Sequence, residues 1–426
     1  MAKNPIINPR LLLLTPSRSY RAKDFLDAAR RLDVDVVVGS DHRHALAELS
    51  GDHTVYLDFQ RPETSVENIV TRAARTSFSA VVGTDDEVLE IAAAAAKRLN
   101  LRHNNPKAVA AARDKYQFRK ITAKAGLLSP GFQRVSLNSD LNRAAQRCRY
   151  PCVLKPLTLS GSRGVIRANS KDEFLAACSR IKAILRGINL DDPYSHVIIV
   201  EDYIDGFEVT LEGLILNHVL HVLAIFDKPD PLDGPYFEET LYVTPSRLPQ
   251  DVQRNIIDQT KGAVAALGLN HGPVHAELRV NETDATLIEL AARSIGGLCS
   301  RVFEFGGDFT LEELILRDAL GLDLPQFTPP DTAKGVMMIP VPTAGILTKI
   351  SGVEDAKKVP NIKDVVINAR PSETLVPPPE GGRYPGFIFA AADTAKEVEA
   401  ALRKAHQLLR FEVGTSNSQS GAETRQ

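Results

Sequence analysis

Apolar residues in the first hundred positions fall into short runs separated by stripes with helical spacing. The runs predict strands at 11–14, 34–38, 54–57 and 80–82, and the stripes predict helices at 23–32 and 87–99. Short apolar strands that alternate with helices are typical of a parallel sheet covered on both faces. We therefore predict a doubly wound α/β domain over residues 1–108.

The spacing changes beyond residue 108. One helix is predicted from Pro106 to Ala125, followed by a strand around Val153, a glycine-containing loop, a helix that ends at Leu185 and a strand from His196 to Glu201. This order of helix, strand, loop, helix and strand predicts a small α+β domain over residues 109–203.

Alternating strands dominate the rest of the chain. Strands are predicted at 207–213, 214–216, 221–226, 274–280, 285–290, 335–340, 365–367 and 386–391, with a turn at Asn217 and His218 and a helix at 251–267. We assign residues 204–330 to a large antiparallel domain that ends in the proline-rich segment 324–330, and residues 331–413 to a C-terminal subdomain. The segment 414–426 is polar and is expected to be disordered.

Four helix starts have the spacing of a capping box, in which a Ser or Thr is followed three residues later by Glu. The pairs are Thr84 with Glu87, Ser170 with Glu173, Thr310 with Glu313 and Thr394 with Glu397. Each pair is expected to bind free backbone N–H groups in the first turn of its helix.

Composition excludes several classes of protein. A net charge of -2 over 426 residues, of which 24% are charged, provides no basic field for nucleic acid. The apolar runs are far shorter than the roughly 20 residues that span a bilayer, and residues 1–10 lack the apolar stretch of a signal peptide. Four cysteines in a chain of this length indicate reduced thiols, so we expect a cytoplasmic protein that binds neither nucleic acid nor membrane.

A strand, a lysine and a flexible loop follow one another before Ile166. Lys155 belongs to the strand, and the loop contains Ser160, Gly161, Ser162 and Gly164. Such a loop can direct several backbone N–H groups at an anion while the lysine supplies a positive charge, so the segment predicts a binding site for nucleotide phosphates. The loop matches neither a Walker A motif nor a dinucleotide fingerprint, and an ordinary β-hairpin with a glycine turn is the alternative interpretation.

The acidic segment Glu201-Asp202-Tyr203-Ile204 separates two apolar strands and predicts a hinge between domains. Its backbone N–H and C=O groups are candidates to bind the edge of an adenine, and Glu208 is a candidate to accept hydrogen bonds from the ribose hydroxyls. An ordinary acidic turn is the alternative interpretation of this segment.

Two carboxylates are predicted to lie on neighbouring strands. Glu277 and Glu289 flank the turn at 281–284, and counting back from this turn places both side chains on one face of the sheet. Because like charges repel at this distance, a cation is expected between them, and Mg²⁺, with Mn²⁺ as the alternative ion, prefers such oxygen ligands. Arg293 stands just before Gly296 and Gly297 and is placed to hold a phosphoryl group or a carboxylate.

Taken in order, these elements resemble the ATP-grasp superfamily. The resemblance is carried by Asp114-Lys115, Lys155 with its loop, the 201–204 hinge, Glu208, Glu277 and the 289–293 segment. It implies an ATP-grasp fold of α/β and α+β class, with an N-terminal doubly wound domain, a small central lid domain over the nucleotide and a large antiparallel-sheet domain. It also implies that Lys115 and Lys155 bind phosphates of ATP, and that Lys155, Glu289 and Arg293 are catalytic.

Within the superfamily, segments 226–246 and 335–411 make the chain similar to the L-amino acid ligase group of carboxylate-amine ligases. This resemblance implies that ATP activates a small carboxylic or amino acid as an acyl phosphate, which an amine or amino acid attacks to release phosphate. Small-molecule acid and amine substrates are the expected partners, and a homodimer is left open. The candidate substrate residues are Asp227, His275, Arg293, Ser294, Gly296 and Gly297.

One position departs from the family pattern. Ala291 stands where the pattern Glu-x-Asn-x-Arg has a metal-binding Asn, so Glu277, Glu289 and phosphate oxygens are the expected metal ligands. Two alternatives remain: a carboxylase of the same superfamily that uses bicarbonate, and a non-catalytic nucleotide-binding protein. The second would have little use for both carboxylates. A purely structural role is the alternative for His275.

Overall fold

A computed structural model describes residues 9–42, 53–188, 194–282, 284–303, 309–326 and 332–414. The predicted disordered tail, apart from Gly414, and residues 327–330 of the proline-rich segment lie outside the described residues. None of the described helices is long and apolar enough to cross a membrane.

The N-terminal sheet has four parallel strands in the order β3-β2-β1-β4. Its elements are β1 (Arg10–Leu14), α1 (Ala22–Arg31), β2 (Asp35–Ser40), β3 (Thr54–Tyr56), α2 (Pro62–Ala73), β4 (Ala80–Gly83) and α3 (Asp86–Arg98). Leu11 and Leu13 pack into a hydrophobic cluster on one face, and Leu12 and Leu14 pack into another on the opposite face. Burial on both faces confirms the predicted doubly wound domain.

Helices and a small antiparallel sheet form the central domain. Its elements are α4 (Pro106–Arg113), α5 (Lys115–Lys124), β5 (Phe132–Ser136), α6 (Leu141–Ala145), β6 (Cys152–Pro156), β7 (Ile166–Ala168), α7 (Lys171–Gly187) and β8 (Val197–Asp202), with strand order β5-β8-β6-β7. The predicted single helix at 106–125 is wrong. Asp114 ends α4 and caps α5, because its side chain accepts hydrogen bonds from the backbone N–H groups of Tyr116 and Gln117 at 2.9 and 3.1 Å.

An eight-stranded sheet, in the order β13-β12-β9-β10-β11-β14-β18-β16, dominates the remainder. Up to residue 326 its region contains β9 (Phe207–Leu216), β10 (Val219–Asp227), β11 (Leu241–Thr244), α8 (Gln250–Leu267), β12 (Gly272–Asn281), β13 (Asp284–Ala291), a short 3-10 turn (Cys299–Val302) and α9 (Leu311–Leu320). The predicted turn at Asn217 and His218 is confirmed, because both residues have positive φ between β9 and β10.

The C-terminal subdomain extends the same sheet. Its elements are β14 (Ala333–Met338), β15 (Gly345–Ser351), α10 (Val353–Lys357), β16 (Ile362–Ile367), β17 (Thr374–Leu375), β18 (Gly386–Ala392), α11 (Ala395–Leu408) and β19 (Arg410–Gly414). Strand β14 pairs with β11 on one side and with β18 on the other, while β17, β15 and β19 form a separate three-stranded sheet. The sequence boundary near 331 therefore does not interrupt the backbone hydrogen bonds.

The capping predictions have mixed outcomes. Complete capping boxes form at Thr310 and Thr394. Ser170 accepts a hydrogen bond from the backbone N–H of Glu173, whereas the Glu173 carboxylate binds Asn169 instead. The box predicted at Thr84 is wrong, because Asp85 is the N-cap residue of α3 and the Thr84 hydroxyl donates to the Asp85 carboxylate.

Candidate active site

A cavity of about 810 Å³ lies where the N-terminal domain, the central domain, the large sheet and the C-terminal subdomain meet. Most residues predicted to be functional line it: Lys115, Lys155, Ser160, Gly161, Ser162, Glu201, Asp202, Tyr203, Ile204, Glu208, His275, Glu277, Glu289, Arg293, Gly296 and Gly297. Gly164, Asp227 and Ser294 lie outside this lining. The fold thus brings together most of the predicted site from distant parts of the chain.

Lys155 belongs to a buried charge cluster at the cavity wall. Its Nζ lies 2.7 Å from Oε2 of Glu201, and Nε of Arg119 lies 2.6 Å from Oε1 of the same carboxylate. Burial opposes ionisation of Glu201, but the two cations outweigh burial and lower the pKa of this carboxyl to about 2. Glu201 therefore positions Lys155, and only the backbone of Glu201 is left for the predicted contact with adenine.

Lys115 reaches the same wall because the chain breaks at Asp114 and places the lysine in the first turn of α5. Its Nζ donates a hydrogen bond to the carbonyl of Leu159 at 2.9 Å and lies 3.2 Å from Oε2 of Glu289. Its backbone N–H donates to the carbonyl of Leu157 at 3.1 Å. Lys115 thus links the start of the glycine loop to one of the two predicted metal ligands.

The glycine loop connects the antiparallel strands β6 and β7, so it is a hairpin connection as well as a candidate phosphate site. Gly161, Ser162 and Gly164 have φ values of 64°, 56° and 70°, a backbone conformation that favours glycine. Ser160, Gly161 and Ser162 line the cavity. The backbone N–H of Gly164 instead donates to the carbonyl of Pro379 at 2.8 Å, so Gly164 joins the loop to the C-terminal subdomain.

The hinge forms where predicted, between the end of β8 at Asp202 and the start of β9. Several of its backbone groups already have protein partners: the N–H of Tyr203 donates to Pro151, and the carbonyl of Ile204 accepts from Arg279 at 2.9 Å. Among the described residues, the backbone N–H of Ile204 has no hydrogen-bond partner. Because Ile204 lines the cavity, this N–H is a candidate donor to a ligand.

Glu277 and Glu289 are direct partners in the register of β12 and β13. Side chains of directly opposed residues in antiparallel strands lie on the same face, and both carboxylates line the cavity. They are 21% and 31% exposed, so both remain open to a ligand. The predicted juxtaposition is confirmed, and a pair of carboxylates facing a cavity beside lysines fits a hard divalent cation that also binds phosphate.

Lys228 is a site residue that the sequence interpretation missed. It is buried, its Nζ lies 2.7 Å from Glu208 and 3.7 Å from Glu277, and it also binds Glu239. Burial lowers the pKa of Lys228, but the three carboxylates outweigh burial and raise it well above the usual value. Lys155 and Lys228 share a sequence feature, because each stands near the end of a strand and directly before a proline. This feature could have identified Lys228 as a candidate.

Glu208, predicted to bind ribose, is therefore part of a cluster of three carboxylates around Lys228. Ligand oxygens of Glu208, Glu239 and Glu277 lie within 4.8 Å of one another, close enough to share a cation. Burial, together with the charges of Glu277 and Glu239, raises the pKa of Glu208 despite the lysine. Glu239 was not predicted as a site residue, because nothing in its local sequence separates it from Glu238.

His275 lies between two carboxylates. Its Nδ1 is hydrogen-bonded to the fully buried Glu212, and its Nε2 lies 3.3 Å from Oε1 of Glu277. Burial lowers the pKa of His275, but the charges of Glu212 and Glu277 outweigh burial and raise it to about 9. The imidazolium therefore holds Glu277 in place, which favours a positioning role over a direct contact with substrate.

Arg293 is held by Asp86, in the first turn of α3. Its Nε and Nη2 lie 2.9 and 2.8 Å from the Asp86 carboxylate, and its Nη1 donates to the carbonyl of Ser294 at 3.0 Å. Burial lowers the pKa of Arg293, but Asp86 and Glu289 outweigh burial and raise it. Asp86 was missed, although its place after a parallel strand is where such sheets present ligand-binding residues.

The predicted substrate contacts of Asp227 and Ser294 are corrected by the structure. The Asp227 carboxylate accepts hydrogen bonds from the hydroxyl of Ser246 at 2.6 Å and the backbone N–H of Arg247 at 3.0 Å. The Ser294 hydroxyl accepts from the buried guanidinium of Arg21. Both side chains are satisfied inside the protein, so they shape the loops behind the cavity.

Three family models match the chain in the order in which these regions occur. The ATP-grasp N-terminal domain matches residues 26–103, the ATP-grasp domain matches residues 148–302, and the L-amino acid ligase C-terminal domain 2 matches residues 337–414. The chain belongs to the ATP-grasp superfamily. The ATP-grasp match contains Lys155, the hinge, both cavity carboxylates on β12 and β13, and Arg293.

Several curated relatives of this ATP-grasp chain are named as ligases. Alanine–anticapsin ligase of Bacillus subtilis is 29% identical over 285 residues, which cover 62% of this chain and 60% of the relative. D-alanine–D-alanine ligase of Bordetella petrii is 24% identical over 214 residues, which cover 45% of this chain and 62% of the relative. The chain thus spans about three fifths of the length of these relatives.

Solved structures confirm the ATP-grasp fold over nearly the whole chain. L-amino acid ligase from Bacillus licheniformis has a TM-score of 0.83 and 27% identity, and the match covers 96% of this chain and 99% of that structure. A carboxyaminoimidazole ribonucleotide synthase from Aspergillus clavatus, solved with ATP, has a TM-score of 0.72 and 18% identity, with 94% and 98% coverage. The second likeness shows the fold alone.

Proposed function

We propose that this protein is an ATP-dependent carboxylate-amine ligase, which joins a small carboxylic or amino acid to an amine or amino acid. The observation that carries the proposal is the direct pairing of Glu277 with Glu289 in a cavity that also contains Lys115 and Lys155. Two carboxylates beside two lysines fit a nucleoside triphosphate and its divalent cation. A protein that only binds nucleotide has little use for both carboxylates.

The cavity residues have separate roles in this proposal. Lys115 and Lys155 neutralise phosphate charge, and the loop at 160–164 covers the phosphates. The hinge backbone binds adenine, and Glu208 binds ribose. Glu277 and Glu289 would hold Mg²⁺, or Mn²⁺ in its place, and the ion would supply charge neutralisation at the β- and γ-phosphate oxygens. This assignment needs one ion site and no Asn at position 291.

The proposed reaction has two steps. A carboxylate oxygen of the acid attacks the γ-phosphorus of ATP, the bond to the β-γ bridging oxygen breaks, and ADP and an acyl phosphate form. The amine then attacks the acyl carbon, an amide bond forms, and phosphate and a proton leave. In this proposal Arg293, which Asp86 holds, stabilises the oxyanion of this second step. The matches to ligases support an amide product.

Product analysis tests the proposal. With ATP, Mg²⁺ and a panel of acids and amines, we expect ADP and phosphate in equal amounts, with no AMP. Hydroxylamine should trap the activated acid as a hydroxamate when the natural amine is absent. Formation of AMP and pyrophosphate would reject the acyl-phosphate route. ADP release that depends on bicarbonate and on no amine would favour the carboxylase alternative, whose fold this chain shares.

A further inference from the structure

Two cysteines of the central domain are in contact with each other. Cys148 lies between α6 and β6, and Cys152 is the first residue of β6. The S–H of Cys148 donates to the carbonyl of Ala144 at 3.4 Å, and the thiol of Cys152 is hydrogen-bonded to the Cys148 sulfur. Both side chains belong to the hydrophobic cluster between β6 and α7, and neither residue lines the cavity. The proposed ligase chemistry therefore uses neither thiol.

Cys148 is the more reactive thiol of the pair. It is partly exposed, whereas the other three cysteines of the chain are buried. Nε2 of Gln133 donates to the Cys148 sulfur at 3.0 Å. The hydrogen bonds from Cys152 and Gln133 lower the pKa of the Cys148 thiol, although burial and the charge of Asp202 oppose its ionisation. Because the thiolate is the form of cysteine that attacks an oxidant, Cys148 is the nucleophile of the pair.

Cys152 is suited to react second. Its side chain is 1% exposed, and the hydrogen bond to Cys148, together with burial, raises the pKa of its thiol. Cys152 therefore stays protonated and protected from solvent, directly beside the sulfur that an oxidant reaches. Cys178 lies in the same cluster, but burial raises the pKa of its thiol to about 12, and no hydrogen bond among the described residues joins it to either sulfur.

The segment between the two cysteines supports the hinge. The carbonyl of Pro151 accepts a hydrogen bond from the backbone N–H of Tyr203 at 3.1 Å. Cys152 is paired with Asp202 in the register of β6 and β8, and the next residue, Val153, lines the cavity. A covalent bond between sulfurs is much shorter than a hydrogen-bonded contact. Forming it would shift the backbone of residues 148–152, and with it the carbonyl that holds the hinge.

We propose that Cys148 and Cys152 form a peroxide-sensitive dithiol, and that their disulfide weakens the binding of ATP. The Cys148 sulfur attacks one oxygen of a hydroperoxide, the O–O bond breaks, and a sulfenic acid and an alcohol or water form. The Cys152 sulfur then attacks the Cys148 sulfur, the S–O bond breaks, and hydroxide leaves with the Cys152 proton as water. Two thiols lose two electrons in total, which the peroxide gains. The disulfide is independent of the proposed function, whereas its effect on ATP rests on it.

Peptide mapping tests the disulfide. Arg149 lies between the two cysteines, so trypsin separates them into two peptides that only a disulfide keeps together. We expect hydrogen peroxide to link these peptides in the folded protein and dithiothreitol to separate them. In Cys152→Ala the sulfenic acid lacks the neighbouring thiol, so dimedone should label Cys148. Cys178→Ala, at a buried position of the same cluster, is the matched control and should still form the linkage.

Steady-state kinetics test the consequence for the hinge. We expect peroxide to raise the KM for ATP by roughly 3- to 10-fold, as the loss of one hydrogen bond implies, and dithiothreitol to reverse the rise. Cys148→Ser cannot form the disulfide, so its KM for ATP should be close to that of the reduced wild-type protein and should not respond to peroxide. Cys178→Ala should respond as the wild-type protein does.

Several results would overturn the proposal. One is the absence of linked peptides after peroxide treatment of a protein that keeps its thermal transition, and another is linkage of either cysteine to Cys178. Linked peptides with an unchanged KM for ATP would reject the effect on nucleotide binding. An equal rise in KM in Cys148→Ser would assign that effect to oxidation elsewhere. If no ATP-dependent product forms in either redox state, the proposed ligase function fails, while linked peptides would still support the dithiol.

Discussion

Glu201 is ionised although its side chain is buried, because Arg119 and Lys155 both bind it. Folding lowers its pKa from 4.5 to about 2, so the ionised carboxylate stabilises the folded state above about pH 4.5, and this contribution is lost as the pH falls toward 2. We predict that Glu201→Gln lowers the free energy of unfolding by roughly 3 kcal/mol at pH 7. Urea unfolding at pH 7 and pH 3.5 should show a smaller difference at the lower pH; a constant difference would contradict this account.

Removing either of the two charges that we propose to be catalytic, Lys155 on β6 and Glu289 on β13, should have a different kinetic effect. We predict that Glu289→Ala lowers kcat by roughly 100-fold or more with Mg²⁺, because the cation loses one of its carboxylate ligands. Lys155→Ala should mainly raise the KM for ATP, because a phosphate loses its counter-charge. Steady-state kinetics separate these effects, with Glu282→Ala in the exposed turn as control. Normal turnover of Glu289→Ala with Mg²⁺ would show that the metal assignment is wrong.

Lys228 neutralises three carboxylates that would otherwise repel one another inside the protein. We predict that Lys228→Met lowers the free energy of unfolding by about 3 to 5 kcal/mol, the usual effect of breaking a buried ion cluster. Mg²⁺ should recover part of the loss, because a divalent cation can replace the ammonium among these oxygens. Thermal unfolding with and without Mg²⁺ checks both effects, and the exposed Lys261→Met is the control. A wild-type transition for Lys228→Met would argue against the cluster.

At the scale of elements, α7 of the central domain is joined to the C-terminal subdomain by one bidentate ion pair. Nε and Nη2 of Arg180 lie 2.6 and 2.8 Å from the two carboxylate oxygens of Glu380, next to the point where Nε of Arg163 donates to the Glu380 carbonyl. This contact holds the glycine loop against the subdomain. We therefore expect the position of the glycine loop, and with it the binding of ATP, to depend on the C-terminal subdomain.

We predict that Arg180→Glu raises the KM for ATP by roughly twofold to fivefold, because the pair is partly exposed and contributes modestly. Trypsin should cut faster at Arg163 in this variant, and MgATP should slow the cleavage in the wild-type protein. Adding Glu380→Arg restores the pair with reversed charges and should return both readouts toward wild type. No rescue in the double variant would show that the ion pair does not hold the loop.

The sequence predicted most strands and helices because their apolar spacing is local. The helix prediction failed at Asp114, because an aspartate inside an unbroken helical pattern can be either an exposed helix residue or a helix cap. The hydrogen bond from the Lys115 N–H to the carbonyl of Leu157, which forms only in the folded chain, distinguishes the two. It failed at Thr84 for a similar reason, because two consecutive aspartates compete with the threonine for the cap. Local patterns assign elements well and their exact ends poorly.

At the scale of the whole molecule, the C-terminal subdomain is structurally continuous with the ATP-grasp region. We predict that a chain ending at residue 326 does not unfold cooperatively, because it exposes the edge of β11 together with Leu241 and Val243, which pack against the subdomain. Circular dichroism and urea unfolding check this, with a chain ending at residue 414 as control. A cooperative transition in the shorter chain would show that the ATP-grasp region folds alone.

Long-range pairing also explains which site residues could be predicted from the sequence. Glu277 and Glu289 were found because one turn fixes their register. Asp86 and Lys228 come from two different domains, and no local spacing shows that Asp86 lines the cavity or that Lys228 binds three carboxylates of its wall. The order of motifs therefore indicated ATP-grasp chemistry, whereas the residues that position the cavity side chains required the folded chain.

The hydrogen bonding of β14 on both edges has a practical consequence for engineering. Exchanging the whole C-terminal region with that of a relative would require new pairing along β11, so such chimaeras should fold poorly. The loop at 376–385 lies outside this pairing and includes Arg383. Exchanging this short loop, part of which lines the cavity, on an unchanged scaffold is therefore the better way to vary the proposed substrate site.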